Sequence, residues 1–510
     1  MLEEERKYEV AAGFTMPDLT ECVPEGGRLI VRPQRKLRAI YFDTTDLRLA
    51  RAGACLRYRR GDDEPWTVKL PTEAPGVRTE VSMAGPAATP PERLLDLVTV
   101  YTRGVPVAPV VTLTTVRQAY QLCDRDDRVA VEVVDDTVSV PDGRRVALKF
   151  REIEVERKAG RARLLDRVEV ALRDAGALVG DFTPKHVRAL GPAALQPPDW
   201  PTTPARLPRR PTVADVVRVA IQRDIARVVT HDPLVRLRAP VGQDDTAVHQ
   251  MRVGCRRLRS DLRTFAPVLD REWARRLRTE LGWLGAALGA ARDAEVLRAR
   301  LRQTAAQDPL APLDPASVAR IDADLAVRQE DALAALDKVM GDERYHRLLD
   351  ALLEAWHEPQ VARHAEESAE AILPRLAVRP YKRLAYGGAG VVGAGQLDPN
   401  APDEVWHAVR RNGKRARHAV EAVAAVIGGE ASALASALER VQELLGEHQD
   451  AAVAAQTWLA IANADPDDHV LATTAGRLYE RERAAIRAAR AAFPAAWRAA
   501  SRRRLTEWMR

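Results

Sequence analysis

The sequence predicts an α+β multidomain protein: an antiparallel β-barrel with charges inside it, then an all-α domain of two related helical halves. Three observations carry this reading. Charged side chains recur at period two through residues 1–195, a proline-dense stretch follows at 196–212, and two basic helical motifs repeat beyond it. A chain of 510 residues is too long for one hydrophobic core, so several domains are expected. A composition of 46% hydrophobic and 29% charged residues fits folded domains rather than disorder.

Side chains of a strand alternate between its faces. At the start of the chain Glu3, Glu5 and Lys7 therefore share one face, and Glu4, Arg6 and Tyr8 the other. Two carboxylates and an amine make a poor core. They suit the wall of a charged cavity, where carboxylates hold a divalent cation and the amine meets an anion such as phosphate. Taken alone, the stretch reads equally well as a solvated tail. The pattern returns, however: Arg57 and Arg59 share a face, as do Arg78 and Glu80, and as do Glu152, Glu154 and Glu156 opposite Arg151, Ile153 and Val155. Strand-like runs at 38–43, 54–59, 66–70 and 128–134 alternate with turn signals, while 91–102 and 160–178 read as helical. One such strand is an ordinary amphipathic surface strand. Five of them predict a closed or nearly closed barrel, apolar outside, covered by helices and charged inside. Buried unpaired charges cost several kcal/mol each, and a polyanion with divalent cations would satisfy both signs at once.

Glu3-x-Glu5-x-Lys7 resembles the E-x-E-x-K signature of the CYTH family, the triphosphate tunnel metalloenzymes. The resemblance continues in order through Tyr41-Phe42-Asp43-Thr44, Leu56-Arg57-Tyr58-Arg59, Lys69, Arg78-Thr79-Glu80 and Arg117. It runs on through Asp135-Asp136, Arg151-Glu152-Ile153-Glu154-Val155-Glu156 and Thr183-Pro184-Lys185. It implies an eight-stranded antiparallel tunnel that binds triphosphate-containing substrates with Mg2+ or Mn2+. By resemblance, Lys7, Arg57, Arg59, Lys69, Arg78, Arg117 and Lys185 would cradle phosphates. Glu3, Glu5, Glu152, Glu154 and Glu156, with Asp135 or Asp136, would supply metal ligands. Glu3, Glu5, Lys7, Lys69 and Lys185 would carry catalysis. Phosphoryl transfer to water needs charge neutralisation and positioning more than covalent catalysis, and no Ser/His/Asp or Cys/His set is evident.

Residues 196–212 hold six prolines, a density that neither a helix nor a central strand tolerates, and read as an extended, semi-stiff linker. From 213 onward the pattern turns helical and duplicates. Val248-His249-Gln250-Met251-Arg252-Val253-Gly254-Cys255-Arg256-Arg257-Leu258-Arg259 matches the run from Trp406 to Arg417, with His407, Arg410, Lys414, Arg415 and Arg417 at equal offsets. The run 288–296 is echoed at 445–453, so halves of about 213–375 and 376–510 are expected. At about 100° per residue, His249, Arg252, Arg256 and Arg259 fall within an arc of roughly 80°, as do His407, Arg410, Lys414 and Arg417. A solvated basic face is the usual reading of one such stripe; its recurrence favours two stripes lining a groove for a long anion. The motifs resemble the CHAD family, helical domains often fused behind CYTH, and this resemblance implies binding of inorganic polyphosphate. The Gly-rich stretch 387–390 lacks a Walker pattern and reads as a flexible connection.

These features point to a metal-dependent triphosphatase or short-chain polyphosphate hydrolase with a polyphosphate-holding domain. Two alternatives stand beside it: a non-catalytic polyphosphate-binding or granule-targeting protein, and a class IV-type adenylate cyclase. Net charge is +6, which favours acidic partners, but 5% aromatics with none in the stripes beyond Trp406 argues against a base-stacking nucleic-acid surface. Four scattered cysteines suggest neither zinc nor a disulfide framework. No apolar run approaches a membrane span and the acidic start resembles no signal peptide, so a cytoplasmic place is expected, with association with polyphosphate granules and homo-oligomerisation left open.

Overall fold

The computed structural model describes residues 2–509 apart from 12, 73, 75, 76, 143, 144, 160–162, 181, 182, 201, 202, 243, 244, 389 and 466; residues 2 and 3 are described by backbone alone. The chain divides into two compact units, Met1–Pro201 and Thr202–Arg510.

In the first unit eight strands close on themselves: β1 (Leu2–Glu9), β2 (Arg35–Asp43), β3 (Cys55–Arg60), β4 (Trp66–Pro71), β5 (Val77–Met83), β6 (Ala108–Cys123), β7 (Val129–Asp142) and β8 (Arg145–Arg157). The order is β1-β5-β4-β3-β2-β6-β7-β8, and β8 pairs back to β1 with every contact antiparallel. Closure removes sheet edges, so backbone pairing is complete around the ring. Two short strands, Arg28–Val31 on β6 and Leu178–Val179 on β1, extend the sheet outside it.

Alternation decides what each face does. Tyr8, Val131, Val133, Ile153 and Val155 point outward and pack against Leu164, Leu165, Val168 and Leu172 of α1 (Arg163–Asp174). Each such buried side chain contributes about 1.5–3 kcal/mol. Arg6, on the same outer face, reaches Asp166 and Glu169 of α1, each at 2.7 Å. A second helix, α2 (Lys185–Leu190), brings Ala189 against an apolar cluster of Ala39, Tyr41, Leu113, Val138 and Val140. The Tyr41-Phe42-Asp43-Thr44 run proves structural: the buried Asp43 carboxylate accepts hydrogen bonds from the backbone N–H groups of Thr44, Leu49 and Ala50, fixing the short helix Arg48–Arg51.

The first part of the expected linker is docked rather than free. Trp200 is buried and donates to the Val100 carbonyl, while Asp199 pairs with Arg51 and Arg103 at 2.6 Å each. A tryptophan and an anion-cation pair outweigh the solvated linker that the prolines suggest.

The second unit is helical: α3 (Val213–Arg236), α4 (Ala247–Thr264), α5 (Arg271–Ala305), α6 (Pro315–Gly341), α7 (Glu343–His357), α8 (Ala369–Tyr386), α9 (Asp403–Ile427), α10 (Gly429–Ala462) and α11 (His469–Ala500). Thr212 and Asp215 form a reciprocal capping box that starts α3. Neighbours in sequence pack together, and α3, α4, α5 and α6 also touch α8, α9, α10 and α11 respectively. Contacts between equivalent helices are what a pseudo-twofold produces. Gly254 is needed for the α3–α4 approach, because a Cβ there would lie 2.9 Å from Val228 and 3.1 Å from the Asp224 carbonyl. Where a flexible connection is expected, Gly387–Gly388 pairs with Val391–Val392 in a tight hairpin, with Gly387 at φ +81°; Ala389 lies outside the described residues. No described helix is long and apolar enough to cross a membrane.

Candidate functional site

The barrel holds a cavity of about 200 Å3. Among the described residues eight cations line it, Lys7, Arg57, Arg59, Lys69, Arg78, Arg117, Lys158 and Lys185, against five carboxylates, Glu5, Glu80, Glu132, Glu154 and Glu156. Their partners follow from register. Lys7 lies opposite Glu154 across the β1–β8 seam, and its ammonium is 2.7 Å from Glu154 and 3.5 Å from Glu5. Lys185 enters from the start of α2, 2.6 Å from Asp136, 2.7 Å from Glu154 and 3.3 Å from Glu152. Arg117 chelates Asp136 at 2.8 and 2.5 Å. Lys69 is 3.2 Å from Glu80, and Arg59 pairs with Asp62.

The electrostatics follow from this packing. Burial would raise the Glu154 carboxyl, but Lys185, Lys7 and Arg117 hold it well below its ordinary range. Burial would lower the Lys185 ammonium, but Glu154, Asp136 and Glu152 raise it. Glu152 itself is pushed up by burial.

The helical unit holds the second charged concavity. Between α4 and α9 a groove of about 380 Å3 is lined by Arg227, Arg256, Arg257, Arg410, Lys414 and Arg417, with His249, His418 and Gln442, and no described carboxylate lines it. Behind it, Glu421 lies 2.6 Å from Arg417 and 3.5 Å from Arg257. The cations repel one another. Burial and then Arg252, Arg257, Arg410 and Arg417 lower the Arg256 guanidinium to about 10, and burial with Arg410, Arg256 and Arg252 lowers the Lys414 ammonium to about 7.

Comparison with known proteins bears on both concavities. The CYTH domain model matches residues 1–178 and the CHAD domain model residues 219–459. Two uncharacterized proteins, MT2285 and Rv2226 from two strains of Mycobacterium tuberculosis, are each 32% identical over 509 residues, covering 94% of this chain and 93% of theirs. The chain belongs to the CYTH–CHAD fusion family. Among solved structures, PptA from Streptomyces chartreusis aligns at 25% identity with TM-score 0.45, covering 56% of this chain and 99% of that one. The CHAD domain from the plant Ricinus communis aligns at 24% identity with TM-score 0.41, covering 57% and 96%.

Not every residue singled out from sequence reaches these sites. Lys7, Arg57, Arg59, Lys69, Arg78, Arg117, Lys185, Glu5, Glu154 and Glu156 line the CYTH lumen. The Glu3 side chain lies outside the described residues. Asp136 and Glu152 share the inward parity but do not line the cavity; they are buried against the Lys185 ammonium. Asp135 is not in the lumen: alternation turns it to the outer face, where Arg151 chelates it at 2.8 and 2.6 Å. In the CHAD groove, Arg259 is exposed and leans over Gly282 of α5, and Arg415 faces the guanidiniums of Arg383 and Arg411. Arg252 lies beside the groove, 3.5 Å from Asp293. His407 lines a neighbouring pocket and bonds Gln449 instead. Sequence reasoning passed over Glu132, Lys158, His186, Arg227, His418 and Gln442. Glu132 was within reach, since it shares strand parity with Asp136; Arg227 comes from a helix without the repeated motif.

Mg2+ or Mn2+ is the cofactor the family implies. Among the described residues no three possible ligands converge as arranged. The donor chemistry nevertheless fits: Glu5 and Glu132 each lie directly opposite Glu156 on neighbouring strands, which sets three lumen carboxylates at one level. Hard oxygen donors of this kind suit Mg2+ or Mn2+.

Proposed function

We propose that the CYTH barrel is a metal-dependent triphosphatase acting on inorganic triphosphate or short polyphosphate, and that the CHAD groove binds longer polyphosphate. The observation that carries the first part is the closed lumen whose wall holds, among the described residues, eight cations and five carboxylates. Lys7, Arg57, Arg59, Lys69, Arg78, Arg117 and Lys185 would hold phosphate oxygens and neutralise charge spreading over the transferred group. Glu5, Glu132 and Glu156 would hold Mg2+ or Mn2+, which supplies charge neutralisation and a lower pKa for bound water. Water's oxygen forms a bond to the terminal phosphorus as the anhydride P–O bond breaks, and the lumen carboxylates are the local proton acceptors. Asp136 and Glu152, which do not line the cavity, position the Lys185 ammonium. Inorganic chains suit the lumen better than nucleotides. Its aromatic side chains among the described residues, Tyr41 and His186, stack on each other, and the rest of the lining is charged or aliphatic. Work on stored polyphosphate would place the protein in the cytoplasm and at polyphosphate granules.

The test is phosphate release from tripolyphosphate, ATP and long-chain polyphosphate with Mg2+, Mn2+ or EDTA. Metal-dependent release from tripolyphosphate supports the reading. Pyrophosphate with cyclic AMP from ATP would make the barrel a cyclase, and tight polyphosphate binding without turnover would make the chain a binding protein.

A further inference from the structure

His186 follows Lys185 on α2, is 5% exposed and lies on the lumen wall. Its ring stacks on Tyr41 with centroids 4.8 Å apart and planes 10° from parallel, so its orientation is fixed. The ring has a hydrogen bond with the Ala54 backbone, and Nε2 is buried without a partner. The backbone bond therefore engages Nδ1. A buried, oriented nitrogen left unsatisfied destabilises a fold, and in a cavity wall a ligand can satisfy it.

The groups facing the ring are Lys7 from β1, Tyr41 from β2, Cys55 and Arg57 from β3, and Arg78 from β5, with Lys185 beside it in sequence. Burial first, then Arg78, Lys7 and Arg57, push the imidazole down to about 3, so it is neutral in the empty lumen. A phosphate chain bound among those cations opposes the part of the effect that Arg78, Lys7 and Arg57 supply, and its oxygens offer an Nε2–H an acceptor in the buried site. The lone pair at Nε2 then becomes the favoured place for a proton.

Building on the polyanion reading of the lumen, we propose that His186 takes up one proton when a phosphate chain binds and donates it from Nε2 in a hydrogen bond to a phosphate oxygen. The proton comes from solvent, one N–H bond forms, and no other covalent bond changes. An arginine here would add permanent charge to a lumen already rich in cations. The imidazole adds charge only when an anion is present to meet it. By linkage, chain binding tightens as pH falls through the window between the free and bound states of the ring, with a slope of about one decade per pH unit.

The experiment is calorimetric titration of the full-length protein with tripolyphosphate in EDTA at pH 6, in buffers of different ionisation enthalpy. Wild type is compared with His186→Phe, which retains a ring to stack on Tyr41 but lacks Nε2; His186→Gln serves if the phenylalanine variant folds poorly. Wild type should take up more protons per bound chain than either variant. In wild type, the His186 ring nitrogens should move to their doubly protonated 15N positions on titration. Equal proton uptake by wild type and variants, with binding intact, overturns the inference. Tripolyphosphate binding that Lys69→Ala leaves unchanged is a separate outcome, and overturns the lumen reading instead.

Discussion

The CYTH lumen and the CHAD groove are both cationic, but they solve the problem of concentrated charge in opposite ways. Among the described residues of the lumen, eight cations face five carboxylates, and close pairs hold Lys7, Lys69, Arg117 and Lys185 in place. In the groove, six cations face one another with no described carboxylate on the wall, and their mutual repulsion depresses Arg256 and Lys414. A wall of matched charges is preorganised: its geometry survives without a ligand, as chemistry on a phosphoanhydride requires. In the groove wall the charges are matched only in part, Arg417 and Arg257 by Glu421 behind it, and the remaining repulsion is what a polyanion relieves. The first suits turnover, the second holding.

Four experiments break or sharpen this comparison. Glu5→Ala should reduce tripolyphosphate turnover at least about a hundredfold, the scale of losing a preorganised electrostatic group, while leaving long-chain binding to the groove intact. Lys185→Met should destabilise the barrel by about 3–5 kcal/mol, because it strands Glu154, Asp136 and Glu152 in the wall; chemical denaturation followed on the barrel unit measures it. Replacing Arg256 and Lys414 together by Ala should weaken long-chain polyphosphate about tenfold or more and spare tripolyphosphate turnover, and the wild-type affinity should fall as salt rises. Smallest is the pH effect. Lys414 is lowered to about 7, so in the free protein it loses charge as pH rises past neutrality. Polyphosphate favours its charged form, so affinity should weaken between about pH 7 and 9. Lys414→Arg should flatten that dependence in a binding titration. The same shift predicts a stability that rises with pH from about 7 towards the ordinary lysine range, since there the unfolded chain binds the extra proton.

Much of this organisation is legible in sequence, for identifiable reasons. A strand's period of two is rigid, so Glu5, Lys7, Arg57, Arg59 and Glu154 could be assigned to one face without coordinates. The same parity separates Asp135 from Asp136, and only the second meets Lys185. The closing pair, β8 with β1, joins segments about 150 residues apart, and no local pattern encodes it; the eight-stranded tunnel came from resemblance, and the order of strands around the ring only from the structure. Helical periodicity is softer. Arg259 sits at the edge of its 80° arc and falls outside the groove, while His418, next to Arg417 and one turn beyond Lys414, enters it. His186 gave no signal in its local pattern, because its setting is built by Tyr41, Arg57 and Arg78 from three other strands. The proline stretch marked the boundary between units but hid the docking of Trp200, which depends on the distant carbonyl of Val100.

The most direct test of the division between matched and unmatched charge is phosphate release from tripolyphosphate at saturating Mn2+ by wild type and Glu5→Ala, with EDTA as the control. Metal-dependent release by wild type that Glu5→Ala abolishes is the predicted result. Turnover near the wild-type rate in Glu5→Ala would contradict the assignment of the lumen carboxylates to catalysis.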